Sequence, residues 1–469
     1  VGDSVTVTVV PRTGRSLREL LHNAGLRLPS DCGGAGTCGK CRVRVLDAEG
    51  EQSVLACQYV PTAPVSVKVE GVGPVGRVRR VRRTGEPASL RLAVDVGTTT
   101  ISLAAVDVER RRVAARRETL NPQIVFGTDV MTRIAAERKL SLTPLAPVLR
   151  RFMDDAGIPP ERPVIAVGNT VMVHFLMGRS AATLGEFPYE SQLALRESLT
   201  SQWDGRWTRT LPLLGSFVGS DCTAAILAAG MHRTGRLSLL VDAGTNGEVV
   251  LGNRERMLVT STAAGPAFEG ATLECGSLAQ AGAIKAVRYN RGRFVPEVVG
   301  GGEARSICGS GVLDAVAEAV RIGRVDCSGR IVGAARLDLG EGPRPVFLSQ
   351  SDIREVQLAK GAIAAAIRVL LDEWTAPASA VERVYVTGRF GAAMNPTAAT
   401  RIGLLPQVPS ERIRQHGNLA LLGAIRATLD PALFVEAERF AANCREVMLS
   451  SHPQFEQAFV DSMRLEPWN

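Results

Sequence analysis

The chain has 469 residues, of which 45% are hydrophobic, 22% charged and only 4% aromatic. At roughly 150 residues per domain that length means about three domains, or one small and one large bilobal unit, with a core resting on Val, Leu, Ile and Ala. No run of 18 apolar residues is present to span a membrane, and Val1-Gly2-Asp3 opens without the basic region and apolar core of a secretory signal, so a cytoplasmic protein with no membrane partner is expected. The net charge of +8 invites a nucleic-acid reading, yet only Lys40, Lys68, Lys139, Lys285 and Lys360 are lysines and the arginines are dispersed. The exception, residues 76–84, has no interleaved aromatic residue and reads as a solvated, docking-prone linker, so no nucleic-acid partner is expected.

Residues 1–75 read as a small β-rich module. Val5-Thr6-Val7-Thr8-Val9-Val10 alternates as a half-buried strand does, and Pro11 to Gly14 turns the chain. Ser16 can cap a helix whose Leu17, Leu20 and Leu21 share one face. Alternation returns at residues 41–46 and 65–69. Strands around one helix in so short a stretch predict an α+β, β-grasp-like domain.

Nine cysteines, an odd number, argue against a disulfide framework in a cytosolic chain. Four of them cluster as Cys32-x5-Cys38-x2-Cys41 and a later Cys57. Three thiolates on one loop and a distant fourth match plant-type [2Fe–2S] ligation, except that the first gap is five residues rather than four. The glycines at 33, 34, 36 and 39 let backbone N–H groups turn toward cluster sulfurs. A structural zinc site usually pairs two Cys-x2-Cys knuckles and only one is present, while a thioredoxin-like pair leaves Cys32 and Cys57 unexplained. Residues 34–40 imitate half of a phosphate-binding P-loop, but Cys41 stands where the magnesium-binding hydroxyl belongs.

After a linker at 76–90 the chain becomes α/β. Two glycine-centred blocks, Leu92-Ala93-Val94-Asp95-Val96-Gly97-Thr98-Thr99-Thr100 and Leu239-Leu240-Val241-Asp242-Ala243-Gly244-Thr245-Asn246-Gly247, lie a domain's length apart and suggest an internal duplication. In each, a buried strand delivers an aspartate and then a tight turn. Glycine lets backbone approach phosphate, N–H and hydroxyl groups donate to its oxygens, and the aspartate orients hydrated magnesium. One block alone is often only a hairpin; two are a stronger sign. Gly388-Arg389-Phe390-Gly391, after a strand over 384–387, reads either as a nucleoside contact or as a plain strand-to-helix turn. Gly309-Ser310-Gly311, before a helix over 312–320, offers either a helix N-terminus to an anion or a simple cap.

These blocks resemble the phosphate-1, phosphate-2 and adenosine motifs of the acetate kinase, sugar kinase, Hsp70 and actin superfamily, and Leu421-Leu422-Gly423-Ala424 resembles its second connecting helix. With the cluster module, nearly the whole chain resembles the ATP-dependent reductive activators of corrinoid proteins. Asn121-Pro122-Gln123, Gly168-Asn169-Thr170, residues 265–270, Ile307-Cys308-Gly309-Ser310-Gly311 and residues 357–362 are further points of similarity. Longer members place a middle domain between the ferredoxin and ATPase parts, where only about 15 residues stand here.

The resemblance implies a ferredoxin-like [2Fe–2S] domain at 1–75, a basic linker at 76–90, a bilobal, duplicated actin/Hsp70-like ATPase fold at 91–429 and an extension at 430–469 packed on it. It implies an enzyme that passes one electron from its cluster to Co(II) of a corrinoid methyltransferase protein and regenerates Co(I) with ATP and Mg²⁺. Cys32, Cys38, Cys41 and Cys57 are the expected iron ligands. Asp95 and Asp242 are the magnesium and water-orienting carboxylates, and Glu248 is a candidate hydrolytic base or else a surface strand residue. Gly97, Thr98, Thr99, Thr100, Gly244, Thr245 and Asn246 are expected at phosphates, Gly388 and Gly391 near the nucleoside. An upstream electron donor is required, and a homodimer is left open. An ATP-coupled electron donor to a non-corrinoid enzyme and a non-enzymatic nucleotide or redox sensor are the rival readings.

Overall fold

The computed structural model describes residues 5–11, 14–23, 28, 36–37, 39, 41–47, 50–69, 87–127, 129–137, 145–203, 206–244, 246–270, 272–340 and 345–468. Cys32, Cys38, Thr245 and residues 76–86 of the expected linker lie outside the described residues. The chain divides into two units, Val1–Asp221 with Ala424–Val435, and Cys222–Gly423 with Glu436–Asn469.

Alternation along the N-terminal module sets its sheet. In β2 (Arg42–Asp47) Val43 and Val45 are buried while Arg42, Arg44 and Leu46 face outward. β1 (Val5–Val9), β3 (Gly50–Leu55) and β4 (Val65–Val69) complete an antiparallel sheet in the order β1-β4-β2-β3. Helix α1 (Leu17–Asn23) starts in a reciprocal cap: the Glu19 amide donates to Ser16 Oγ at 3.4 Å and the Ser16 amide to Glu19 Oε2 at 3.0 Å. Its Leu17, Leu20 and Leu21 pack with Val43, Val45, Val65 and Val67. The expected strands and helix all form.

The rest of the first unit is built on a six-stranded sheet. β5 (Leu90–Val96), β6 (Thr100–Asp107) and β7 (Arg112–Leu120) form an antiparallel meander. Helices α2 (Val130–Ala135) and α3 (Ala146–Ala156) precede β8 (Val164–Gly168), which lies parallel to β5. α4 (Thr170–Leu176) comes next, and β9 (Leu199–Trp203) and β10 (Arg206–Thr210) close the order β7-β6-β5-β8-β10-β9. β5 and β8 are buried almost throughout, as parallel strands covered on both faces must be.

Helix α5 (Ser220–Ala229) carries the chain into the second unit, where the same plan recurs. β11 (Ser238–Ala243), β12 (Gly247–Gly252) and β13 (Met257–Thr262) repeat the meander. A three-stranded sheet, β14 (Ala283–Asn290), β15 (Arg293–Val298) and β16 (Ser306–Ile307), leads into α6 (Gly309–Arg321). The hairpin β17 (Arg336–Asp338) and β18 (Phe347–Ser349) precedes α7 (Gln350–Trp374), which begins in a Ser349/Asp352 capping box. β19 (Arg383–Thr387) then pairs parallel with β11 as β8 does with β5. After α8 (Gly388–Ala393) and α9 (Pro396–Arg401), β20 (Ile413–Gln415) joins β19, again in parallel. Helices α10 (Leu419–Leu429) and α11 (Ala432–Ala441) lead to β21 (Cys444–Glu446) and α12 (Phe455–Ser462). Matching strand orders in the two units bear out the duplicated α/β architecture.

Three details differ from the sequence reading. Gly309-Ser310-Gly311 lies inside α6 rather than before it, and Gly388-Arg389-Phe390-Gly391 opens α8 rather than forming a turn. Residues beyond 429, expected as an extension packed on the ATPase fold, add a strand to its sheet: β21 is the sixth of β20-β19-β11-β12-β13-β21. Residues 357–362 fasten the end of α12 and the residues just past it. Gln357 Nε2 donates to the Met463 carbonyl at 2.8 Å and Lys360 Nζ to that of Arg464 at 2.6 Å. Burial pushes the Lys360 ammonium down to about 7.

Gly309 shows why small residues recur in this unit. A Cβ added there would fall well inside contact distance of the Phe268 carbonyl oxygen, so α6 and the 266–269 turn touch backbone to backbone. Gly309→Ala is expected to cost roughly 1–3 kcal/mol through forced displacement of one element. Thermal unfolding measures it, and an unchanged midpoint would show that the approach is not rigid.

Candidate functional site

In the first unit, β5 carries the buried Asp95 opposite Ser102 of β6 and Val167 of β8. The chain then turns tightly, the Gly97 amide donating to the Thr100 carbonyl at 3.0 Å. Three buried side chains grip this loop. Asn121 Nδ2 donates to the Gly97 carbonyl at 2.8 Å, and the Asn121 amide to that of Thr99 at 2.8 Å. Arg133 Nη2 donates to the Thr98 carbonyl at 2.6 Å and its Nε to that of Gly127 at 2.9 Å. Asn169 Nδ2 donates to Thr98 Oγ1 at 2.9 Å. A hydroxyl has one proton to give, so Thr98, already accepting from Asn169, has that proton available for an anion.

Arg133 is fully buried at 0% exposure, and desolvation pulls its guanidinium down to about 9. A desolvated cation bonded to the back of a glycine-threonine loop places positive potential where phosphate charge would be welcome. Nothing local in the sequence marks Arg133 out. Asn121 and Asn169 stand in stretches that the sequence distinguishes only by resemblance, and the structure gives both a physical task.

In the second unit, β11 presents Asp242, directly opposite Glu248 of β12 and Thr387 of β19. Residues opposite one another on neighbouring strands share a face, so the two carboxylates and the threonine lie on one side of the sheet. Glu248 is buried and receives a hydrogen bond from Ser261 Oγ at 3.4 Å, so it is not a surface strand residue. Burial pushes the Asp242 carboxyl up to about 6, and among the described residues no side chain pairs with it. A desolvated carboxylate short of partners suits a hydrated Mg²⁺. Gly388 abuts it: φ is +87° and an added Cβ would stand 2.6 Å from Asp242 Oδ1, so only glycine leaves that carboxylate room. Gly244 and Asn246 form the β11–β12 turn, the Gly244 amide donating to the Asn246 carbonyl at 3.2 Å.

Neighbouring motifs converge on a ring stack. Phe268, from residues 265–270, and Phe390, from α8, lie face to face with centroids 4.3 Å apart and planes 8° from parallel. Gly309 packs on the Phe268 carbonyl and Gly391 on Val386. Ser310 Oγ donates to the Lys285 carbonyl at 2.8 Å. Packing therefore accounts for Gly309, Gly391 and the Ser310 hydroxyl.

In the N-terminal module, Cys41 immediately precedes β2 and is buried with that strand's inner face, and Cys57 lies just past the end of β3. The Ala56 amide donates to the Cys41 carbonyl at 3.0 Å, and the two sulfurs stand 3.2 Å apart. Such a gap exceeds a disulfide bond of about 2.05 Å, and both sulfurs lie within reach of one metal at bonds of about 2.3 Å. Burial raises the Cys41 thiol above its ordinary value, so a cation is needed to hold it as a thiolate. The two donors fit iron; Cys32 and Cys38, the other expected ligands, lie outside the described residues.

Cys41→Ser or Cys57→Ser should bleach the visible charge-transfer absorption of the anaerobically purified chain, whereas Cys444→Ala, far from the pair in sequence and buried elsewhere, should not. Absorption retained in Cys57→Ser would remove Cys57 from the ligand set. For Asp242 the sign follows from its raised value: ionisation costs the folded state as pH climbs through about 6, and metal use requires the ionised form. Mg·ATP hydrolysis should therefore decline as pH falls below about 6, and nucleotide-free Asp242→Asn should unfold at a higher temperature than the parent at pH 7. A hydrolysis profile flat from pH 5 to 7 would contradict this.

Comparison with known proteins fits this geometry. Residues 2–62 match the family model of the 2Fe-2S iron-sulfur cluster binding domain, 90–234 that of the RACo middle region, and 236–468 that of the C-terminal domain of RACo, the ASKHA domain. The sequence reading places no middle domain after the linker, yet the chain from residue 90 onward matches the middle region. Corrinoid activation enzyme RamQ of Eubacterium limosum is 30% identical over 418 residues, covering 79% of this chain and 69% of that protein. A Methanosarcina barkeri protein described as [Co(II) methylated amine-specific corrinoid protein] reductase is 31% identical over 241 residues, 47% of this chain and 44% of its own. The solved structure of a reductive activator for corrinoid, iron-sulfur protein superposes with a TM-score of 0.71 at 25% identity, covering 97% of this chain and 96% of that one. A cysteine pair fit for a [2Fe–2S] cluster, two Asp-x-Gly loops fit for Mg·ATP and these matches lead to one conclusion: the chain belongs to the family of reductive activators of corrinoid proteins.

Proposed function

We propose that Cys32, Cys38, Cys41 and Cys57 hold the electron that this activator delivers, and that the loops after Asp95 and Asp242 hold the Mg·ATP that makes delivery effective. The substrate is a corrinoid protein whose cobalt has lapsed to Co(II). One electron enters and cobalt leaves as Co(I), with an upstream low-potential donor restoring the chain. When bound, a plant-type cluster supplies single electrons near −400 mV. Each tenfold shift in the equilibrium is worth about 59 mV for one electron.

The chain's own residues supply the shift. Thr98 and Thr99 face phosphate from a loop braced by Asn121, Arg133 and Asn169. Asp242 orients a hydrated Mg²⁺, and Glu248, on the same sheet face, accepts a proton from the attacking water. A nucleotide gripped this way biases conformations only through differential contacts, and the corrinoid partner must be bound differently in the two states. Gly388 leaves Asp242 unobstructed at the nucleoside end. The observation that carries the proposal is the Asp242 carboxylate, desolvated, unpaired among the described residues and abutted by Gly388, in a chain that also holds the Cys41/Cys57 pair. Among the described residues no helix is long and apolar enough to cross a membrane.

Removing the proposed base separates the two steps. Glu248→Gln should cut ATP hydrolysis by about 10²-fold or more, within the range that general bases contribute, while leaving nucleotide affinity near the parent's. The Co(I) yield from dithionite and a Co(II) corrinoid protein should rise on adding Mg·ATP for the parent chain and rise far less for the variant under turnover conditions. Parental hydrolysis by Glu248→Gln would take Glu248 out of the site, and a Co(I) yield indifferent to Mg·ATP would overturn the proposed coupling.

A further inference from the structure

We infer that the turn at Asn121 to Val125 couples the phosphate loop at 97–99 to the seat of the cluster, so that nucleotide and electron each bias the binding of the other. This rests on the reading of that loop as a phosphate loop. The first joint lies between loop and turn. Asn121 is fully buried; its amide and its Nδ2 hold the carbonyls of Thr99 and Gly97, each at 2.8 Å, while its Oδ1 accepts the Gln123 amide at 2.9 Å. Pro122 sits at the first turn position, where its ring fixes φ. The loop therefore cannot shift without carrying the turn along or breaking two buried hydrogen bonds.

The second joint is between the turn and the cluster module, for α1 packs against residues 122–125 within the same unit. The third lies inside the module. The Leu17 amide donates to the Tyr59 carbonyl at 2.7 Å and the Arg18 amide to that of Ala56 at 2.9 Å, so the start of α1 is stitched to both flanks of Cys57. Cys57 in turn stands beside Cys41. Hydrogen bonds at both ends and the proximity of α1 to the turn between them thus connect Gly97 to the flanks of an expected cluster ligand.

Contiguity alone does not make a coupling; a bistable element is needed. Gln123 supplies one. Its side chain is 0% exposed, yet neither Oε1 nor Nε2 has a hydrogen-bond partner among the described residues. A buried amide left unsatisfied is costly and rare, so a displacement of the turn that gave it a partner would recover that cost. Phosphate on the loop and reduction at the cluster then act on the same balance from its two ends, and linkage requires their effects to be reciprocal.

The test uses the full cluster-loaded chain and Mg·AMPPNP, whose affinity is measured for the oxidised and the dithionite-reduced protein. The parent should show a difference of about fivefold or more, the lower range of measured couplings, and its amide exchange over 17–23 should change on adding nucleotide. Gln123→Leu, of similar size but without an amide to satisfy, should keep the visible absorption and the oxidised-state affinity within about twofold. Its redox-dependent difference should fall below about twofold and its exchange over 17–23 should cease to respond, with Gln123→Met giving the same result. Equal affinities in the two redox states of the parent, or a full difference retained in both variants, would overturn the coupling. Failure of the parent to bind Mg·AMPPNP at all would instead overturn the phosphate-loop reading and the coupling with it.

Discussion

A carboxylate near the end of a buried strand has no cation of the described protein to answer it. Asp242 is held up near 6 by desolvation, and much of the second unit keeps it that way. Gly388 stands against it without a side chain, and Thr387 next door is turned to donate to the Gly417 carbonyl at 2.5 Å. The Phe268–Phe390 stack ties α8, which begins at Gly388, to the turn beneath α6. A folded protein tolerates such a group when a ligand brings the missing charge, as hydrated magnesium on a triphosphate would under the function proposed. The first unit does the opposite, burying the cationic Arg133 behind the loop proposed to receive anionic oxygens.

The two sheets show how one plan serves both demands. Asp95 and Asp242 occupy equivalent strands, each between an antiparallel partner and a parallel one. Across from Asp95 stands Ser102, and across from Asp242 stands Glu248. A carboxylate faces Asp242 where a hydroxyl faces Asp95, so the two copies differ in the group that could take up a proton.

Much of this is legible in the sequence because it is local or repeated. Cys41 and Cys57 are readable from spacing, and their sulfurs are indeed neighbours. The two Asp-x-Gly blocks foretell two like sheets because a buried strand followed by a glycine turn is written in consecutive residues. Glu248 stays ambiguous between base and surface residue, since its burial depends on strand register with β13, which no local pattern reports. The Gly309-Ser310-Gly311 and Gly388 to Gly391 stretches look like loops because glycine usually marks loops. Here glycine is needed for close backbone approach inside or beside helices, a tertiary requirement. Arg133 is invisible for the same reason: its partners, Thr98, Gly127 and Met172, are drawn together only by the fold.

The central claim is that the electron reaching cobalt is the one held by the N-terminal cysteines. It is tested most directly by freeze-quenched electron paramagnetic resonance in a single turnover. The chain is reduced, freed of excess reductant and mixed with a Co(II) corrinoid protein and Mg·ATP. The account predicts that the reduced-cluster signal and the Co(II) signal disappear together, one for one and at one rate. Loss of the Co(II) signal while the cluster stays reduced would contradict it.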